Sequence, residues 1–298
     1  MFPKKSFHTV YNERIHTVID YIRDHIGEEI SLDTLATIAC FSPYHFHRIF
    51  TAFTGETPRD YIERIRMERA ANRLCIMNHH SVSEVAFDCG FSSVSVFSRT
   101  FKRFYQIPPS RFFEKHRHDF HSIDQTLAQN NSISHADRFP MPVHIKHFPQ
   151  MHLAYIQTME GYAKGIPKAW DKMIRFAQIN NFYGNDLMLI GLPLDNPGIT
   201  PREKCCYRAC IPVPKTIVRK QGEVKTFDLD GGAFAVAHFK GRRQDITDAY
   251  AFIYGNWLPK SGYIPDEKPL MEIYPLTLFD DCNAEILEYD IALPICEF

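Results

Sequence analysis

The 298-residue chain has no uninterrupted apolar run of about 18 residues, the least that would cross a bilayer. Its opening stretch, MFPKKSFHTVYNER, lacks the apolar centre of a secretory signal. Eight cysteines are present, but none forms a C-x-x-C pair, and the one cluster, Cys205-Cys206 with Cys210, has no zinc-like partner spacing. No Ser-His-Asp pattern is legible. These absences argue against a membrane-spanning protein, a disulfide-stapled secreted domain and a zinc module. The expectation is a cytoplasmic protein with reduced thiols, no cofactor, no bound metal and no membrane contact. The run HRHDFH, with His116, His118 and His121, is read as a solvated helix end.

Neither sign of charge dominates, and the formal net charge is −1. Residues 1–118 hold 16 Lys+Arg against 13 Asp+Glu, and the remainder holds 18 against 22, so the first part is mildly basic and the second mildly acidic. A case for nucleic acid therefore has to rest on where the bases sit, not on how many there are. Hydrophobic content of 45% and charged content of 23% are those of a globular protein, and the length suits two domains.

What is present is a repeat. Leu32 to Tyr61 reads LDTLATIACFSPYHFHRIFTAFTGETPRDY, and Val82 to Phe113 reads VSEVAFDCGFSSVSVFSRTFKRFYQIPPSRFF. Ala36, Phe41 and Ser42 recur at Ala86, Phe91 and Ser92; Phe46, Phe50, Phe53 and Pro58 recur at Phe97, Phe101, Phe104 and Pro109. The change of offset by one is read as falling just inside the second helix of each unit. In the first unit Leu32, Leu35, Ala36 and Ala39 make the buried stripe of a short helix. Ser31 and Ser42 are candidate caps, and Pro43 suits a first helical position. Phe46, Ile49, Phe50 and Phe53 would face inward and Tyr44, His45, His47 and Arg48 outward. The second unit repeats this with Val82, Val85 and Ala86 buried, Cys89-Gly90 as the turn and Ser92 as the cap. Phe97, Phe101 and Phe104 would face inward, and Val94, Ser95, Ser98 and Arg99 outward. An ordinary pair of helical hairpins would explain one copy. Two copies joined by an amphipathic helix from about Arg59 to Cys75 point to a double helix-turn-helix, its second helices set ~34 Å apart to read two successive major-groove segments. Ile15, Val18, Ile19 and Ile22 space a further helix before the repeats.

Residues from about Ile15 to Lys115 resemble the DNA-binding domain of the AraC/XylS family of bacterial transcription regulators. The matching stretches are R-I-F-x-x-F-T-G-x-T-P-x-x-Y and A-F-D-C-G-F-S-S-x-S-x-F-S-R-T-F-K-R-F-x-x-x-P-P-S-x-F. The resemblance implies double-stranded DNA and RNA polymerase as partners. It places Tyr44, His47 and Arg48, then Val94, Ser95, Ser98 and Arg99, toward the duplex. Arg48 and Arg99 can each bond guanine O6 and N7, and Val94 can touch a thymine methyl; for Arg99 a phosphate contact is the alternative.

Residues 119–142 are polar, end in two prolines and read as a linker between residues 1–118 and 143–298. The second part carries a looser repeat at 80–81 positions. Leu153-Ala154 matches Phe234-Ala235, Gly161 matches Gly241, and Ile166, Ala169 and Trp170 match Ile246, Ala249 and Tyr250. Each half reads strand, helix, strand, strand, with helices near Pro167–Asn180 and Ile246–Leu258. Two βαββ units side by side make one antiparallel α+β domain after an all-α domain. This part resembles the GyrI-like effector domain, through Ala169-Trp170, the strand beginning Gly231-Gly232, W-L-P-K-S-G-Y and P-L-M-E-I-Y. It departs from the family at Cys206-Tyr207-Arg208, where an acid often follows Arg-Tyr. In the family a strand glutamate binds cationic ligands, and the matching position is Glu272. Alternation puts Leu270, Glu272 and Tyr274 on one strand face. Beside Trp170, Tyr207 and Trp257, that carboxylate can neutralise a lipophilic cation while the rings stack on it.

The expected function is thus a sequence-specific regulator whose second domain senses a small cationic or aromatic molecule. Hydrolase activity at Glu272, or a second domain that binds a protein, are the alternatives.

Overall fold

A computed structural model of the chain describes residues 7–76, 81–112, 139–184, 187–219, 222–266, 268–276 and 285–297. The HRHDFH histidines, Cys282 and most of the expected linker lie outside these residues. The chain divides into two compact units, Met1–Lys115 and His116–Phe298.

In the first unit α1 (Phe7–Asp24) turns Ile15, Val18, Ile19 and Ile22 inward, all fully buried. Helices α2 (Leu32–Ile38) and α3 (Pro43–Thr54) make the first hairpin. Helix α4 (Pro58–Ile76) leads to the second, formed by α5 (Val82–Asp88) and α6 (Val94–Tyr105). Serines start all four hairpin helices. Ser31 accepts from Thr34 N at 3.0 Å, Ser42 from His45 N at 3.4 Å, Ser81 from Glu84 N at 3.2 Å and Ser93 from Val96 N at 3.3 Å. Each hairpin turns on a left-handed residue, Cys40 at φ 54° and Gly90 at φ 76°. Phe41 N and Phe91 N then reach back to Ala36 O and Ala86 O at 2.9 and 3.0 Å, satisfying carbonyls the helix end leaves open. Gly90 also leaves room for Arg66, whose guanidinium would lie 2.8 Å from any Cβ there.

Two expectations are corrected. The second-unit cap is Ser93, not Ser92. Ser42 and Ser93 are 51 apart, as are Phe46 and Phe97, whereas Phe41 and Phe91 are 50 apart. The extra residue is therefore Ser92, in the turn before the helix and not inside it. Leu32, Phe53 and Phe104, expected in the core, are about two-fifths exposed. The core takes Phe46, Phe50, Phe97 and Phe101. Phe53 and Phe104 fall in the last turns of their helices, where Phe53 meets only the edge of His16 and Phe104 lies under Arg103.

Arginines of helix α4 tie it to the segment after α1 and to α5. Arg66 donates to the carbonyls of Ile26 and Glu28 at 3.1 and 2.6 Å, and Arg73 pairs with Asp88 at 2.5 Å. Arg64 is buried between Glu56 and Glu68, with bonds of 2.9–3.1 Å to both, and lies over the Tyr61 ring.

The second unit contains, in order, β1 (Val143–Phe148), β2 (Met151–Thr158), α7 (Gly161–Ile179), β3 (Leu189–Pro193), β4 (Tyr207–Pro212), β5 (Lys225–Leu229) and β6 (Gly232–Arg242). Then come α8 (Ile246–Ala251), a π turn over Phe252–Trp257, a last helical turn Leu258–Ser261, β7 (Tyr263–Pro265), β8 (Met271–Tyr274) and β9 (Ile286–Glu297). All strands pair antiparallel in the order β1-β6-β9-β8-β3-β4-β2-β5, with β7 on β9. The order is symmetric about its centre. Equivalent strands β3 and β8 pair with each other, and equivalent residues Gly191 and Glu272 face each other there. The edges are exchanged: β1 precedes β2 but pairs with β6, while β5 precedes β6 but pairs with β2. The two-residue links Pro149-Gln150 and Asp230-Gly231 cross, and a Cβ on Gly231 would lie 2.6 Å from Gln150 N and Phe148 O. Such short links force the sheet to curl until its ends meet. That buries its helix-free face, where Phe148 and Phe234 pack with Ile190, Cys210 and Met271. The other face is covered by α7 over Ile156, Leu189 and Ile211, and by α8 over Phe239, Ile291 and Leu293.

The edge strands β1 and β5 and the short β7 were not expected. Their residues are half polar, which blurs the period-two signal. Helix α7 begins six residues before the expected Pro167, because Gly165 lets it pass close to β2: a Cβ there would lie 2.3 Å from Thr158 Oγ1.

Candidate functional site

The exposed face of α3 carries Tyr44, His45, His47 and Arg48. Arg48 Nη1 donates to Tyr44 Oη at 2.8 Å, and its guanidinium lies 5.7 Å from that ring. The pair is one helical turn apart and lies along the outer surface. On α6, Ser95 and Arg99 are exposed, and Val94 and Ser98 are half-buried. Arg99 Nε leans back on Ser95 O at 3.4 Å. Among the described residues neither Arg48 nor Arg99 has a carboxylate partner, in contrast to Arg64, Arg73 and Arg103. Val96 is two-fifths exposed on the same side of α6 and was not singled out, although the repeat marks it as the equivalent of the exposed His45. A surface hollow of about 570 Å³ lies elsewhere in this unit, lined by Glu56, Arg59, Asp60, Glu63, Arg64, Arg103 and Phe104.

In the second unit the candidate site is built on an acid on the pseudo-symmetry axis. Glu272 is 8% exposed, in β8 opposite Gly191. Tyr250 Oη donates to its Oε1 at 2.8 Å and Tyr274 Oη to its Oε2 at 2.5 Å. Tyr207 Oη sits 3.2 Å from Tyr274 Oη and receives Trp170 Nε1 at 3.2 Å. The Trp170 ring meets Tyr274 edge-on at 5.6 Å, and Tyr289 lies 4.9 Å from Tyr274. Four of these rings are two symmetry pairs. Trp170 and Tyr250 are equivalent helix residues. Tyr207 and Tyr289 are equivalent strand residues, facing the equivalents Thr158 and Phe239. The acid itself is unpaired by symmetry, since its equivalent is Gly191. That absence is structural: a Cβ on Gly191 would lie 1.9 Å from the Tyr207 hydroxyl, so glycine is what lets Tyr207 reach the axis.

Burial pushes the Glu272 carboxyl above its ordinary value, opposed by the hydroxyls of Tyr274, Tyr250 and Tyr207. Burial, and then the Glu272 charge, hold Tyr207, Tyr250, Tyr274 and Tyr289 well above the ordinary phenol range, so they remain donors. The expected residues Glu272, Tyr207, Tyr274 and Trp170 come together. Among the described residues no hydrogen bond or ring contact joins Trp257 to them: it ends the π turn, stacks on Tyr263 at 6.4 Å and packs against the same core cluster as Tyr250, Tyr274 and Tyr289. Tyr250 and Tyr289 were missed. The repeat already paired Tyr250 with Trp170, and that was the available signal.

Comparison with known proteins covers both units. A helix-turn-helix domain family matches residues 35–115, and the GyrI-like small molecule binding domain family matches residues 141–295. YbfP of Bacillus subtilis, an uncharacterized HTH-type transcriptional regulator, is 33% identical over 102 residues, 34% of this chain and 34% of that protein. MarA of Salmonella typhimurium, a multiple antibiotic resistance protein, is 30% identical over 98 residues, 33% of this chain and 76% of that protein. The DNA-binding domain of AdpA, a global transcriptional factor solved with a target DNA, is 30% identical over 35% of this chain and 94% of that one, with a TM-score of 0.34. The match spans about a third of the length of YbfP.

Proposed function

Because the chain belongs to the AraC-type transcription regulators and carries a GyrI-like small molecule binding domain, we propose that it grips duplex DNA with α3 and α6 of one chain and adjusts that grip to an organic cation held at Glu272. The observation that carries the DNA half is the pair Arg48 and Arg99. They stand at equivalent positions on the exposed faces of twin capped helices, while Arg64, Arg66 and Arg73 of α4 are engaged in structure. Tyr44 and His47 beside Arg48, and Ser95, Val96 and Ser98 beside Arg99, complete two unlike reading surfaces. Val94 sits at the start of α6, where a thymine methyl is its natural contact. RNA polymerase is the further partner that this family suggests. In the second unit, one carboxylate without a cationic partner among the described residues, walled by Tyr207, Tyr250, Tyr274 and Tyr289, suits a single delocalised positive charge. A ligand there acts on DNA binding only through different affinities for two states of the chain.

Selection of binding sites from random duplexes by the full chain tests the DNA half. The wild type enriches one motif with guanines in two windows. Arg48→Ala weakens binding to that motif by about 1–3 kcal/mol and relaxes preference in one window only. An unchanged preference after this substitution would remove direct readout by α3.

A further inference from the structure

The hydrogen bonds at Glu272 form a series whose direction is forced at its far end. An indole N–H only donates, so Trp170 Nε1 donates to Tyr207 Oη at 3.2 Å. The Tyr207 hydroxyl donates onward to Tyr274 Oη at 3.2 Å, and that hydroxyl donates to Glu272 Oε2 at 2.5 Å. Tyr250 closes on Oε1. Both carboxylate oxygens therefore accept. The series begins in one repeat, on α7 and β4, and ends in the other, on β8. Trp170 itself is 2% exposed and its ring already packs edge-on against Tyr274, so an indole stacking on a ligand is not the role its position favours.

We propose that Trp170 is a positioning residue, which aligns the Tyr207 and Tyr274 hydroxyls so that Glu272 is held as an acceptor, and that a proton and an organic cation compete for this one carboxylate. The competition rests on the effector reading above; the alignment does not. The titratable groups facing Glu272 are all phenols: Tyr162 from the first turn of α7, Tyr207 from β4, Tyr250 from α8, Tyr274 from β8 and Tyr289 from β9. Further out, Asp195 and Cys205 act on Tyr162, Cys210 on Tyr207 and Arg243 on Tyr289. No lysine or arginine bonds the carboxylate among the described residues. The hydroxyls thus supply the favourable hydrogen bonds to its ionised form, against a burial that favours the neutral one. Donors in series polarise one another, so removing the first weakens the last. Without Trp170 Nε1–H the Tyr207 hydroxyl is also free to turn away.

The test is the carboxyl titration of Glu272 in the full chain, followed by carbon-13 NMR on labelled glutamate and assigned by the signal that Glu272→Gln removes. Trp170→Phe keeps an aromatic ring and loses the donor, and Tyr207→Phe breaks the series at its middle. Each shifts the Glu272 midpoint to higher pH, while Tyr183→Phe, at an exposed position, leaves it in place. A midpoint that stays put in both Trp170→Phe and Tyr207→Phe overturns the alignment and leaves the effector reading standing. Benzyltrimethylammonium then tests the competition. Its dissociation constant rises about tenfold per pH unit below the Glu272 midpoint and is flat above it. Binding that does not weaken as pH falls below the Glu272 midpoint overturns the competition and leaves the effector reading standing, whereas binding that survives Glu272→Gln overturns both.

Discussion

Glu272→Gln weakens binding of lipophilic organic cations to the full chain by about 30-fold or more, because removing one partner of a buried charge pair costs about 2–5 kcal/mol. The substitution keeps the shape of the side chain and removes only its charge. Neutral ligands of the same outline lose far less, and that contrast separates electrostatics from packing. Isothermal titration calorimetry with a matched cationic and neutral pair reads it directly. Stability moves in the opposite sense. Burial raises the Glu272 carboxyl above its unfolded value, so the folded state holds its proton more tightly. That contribution is present below the ordinary carboxylate value and is lost as pH rises through the raised folded value. The wild type therefore loses stability across this window, and Glu272→Gln does not. An acid whose ionisation costs the fold stability fits the proposed binding role. Equal losses for cationic and neutral ligands would contradict this.

Arg64→Leu destabilises the first unit by about 3–5 kcal/mol, measured as its urea transition in the full chain. Arg64 is 9% exposed and Glu68 is 5% exposed, so the substitution removes the arginine that pairs with a buried carboxylate. Glu56 is nearer the surface and recovers water. Replacing Arg64 and Glu68 together by leucines restores much of the loss, since a buried ion pair is often no better than apolar packing. The effect reaches function because α4 lies between the two hairpins and carries Arg66, bonded to the carbonyls of Ile26 and Glu28 after α1, and Arg73, paired with Asp88 of α5. Loosening α4 releases the spacing between α3 and α6. DNA affinity falls in Arg64→Leu at urea concentrations where the second unit is still folded. Full stability in Arg64→Leu would mean that the Arg64 cluster is not what holds α4 in place.

Much of this was legible in the residues, and the failures have physical causes. The caps Ser31 and Ser42, the turn at Gly90 and the buried pairs Phe46/Phe50 and Phe97/Phe101 follow from local pattern, because a capped amphipathic helix is specified by its own few residues. Ser92 was mistaken for Ser93 because two adjacent serines offer the same hydroxyl, and only the register of the helix decides between them. Phe53 and Phe104 have the spacing of core residues but lie past the end of the packing, which no periodicity reports. In the second unit the helices and inner strands were visible, and the exchanged edges were not. Pairing of β1 with β6 is a contact between distant segments with no local signature. Glu272 follows from the resemblance, Tyr274 from strand alternation, and Tyr207 and Trp170 from their aromatic chemistry, whereas Tyr289 becomes visible only once the registers of β4 and β9 are known. Trp257 ends the π turn and stacks on Tyr263, while packing against the core cluster that Tyr250, Tyr274 and Tyr289 share.

The central claim is that one chain reads two successive turns of one face of a duplex, with α3 in one groove segment and α6 in the next. Hydroxyl-radical footprinting of the full chain on its selected site, at low salt, tests it most directly. The account predicts two protected segments about one helical turn apart, ~34 Å, with Arg48→Ala weakening one and Arg99→Ala the other. A single protected segment, or two substitutions that erase the same one, would contradict it.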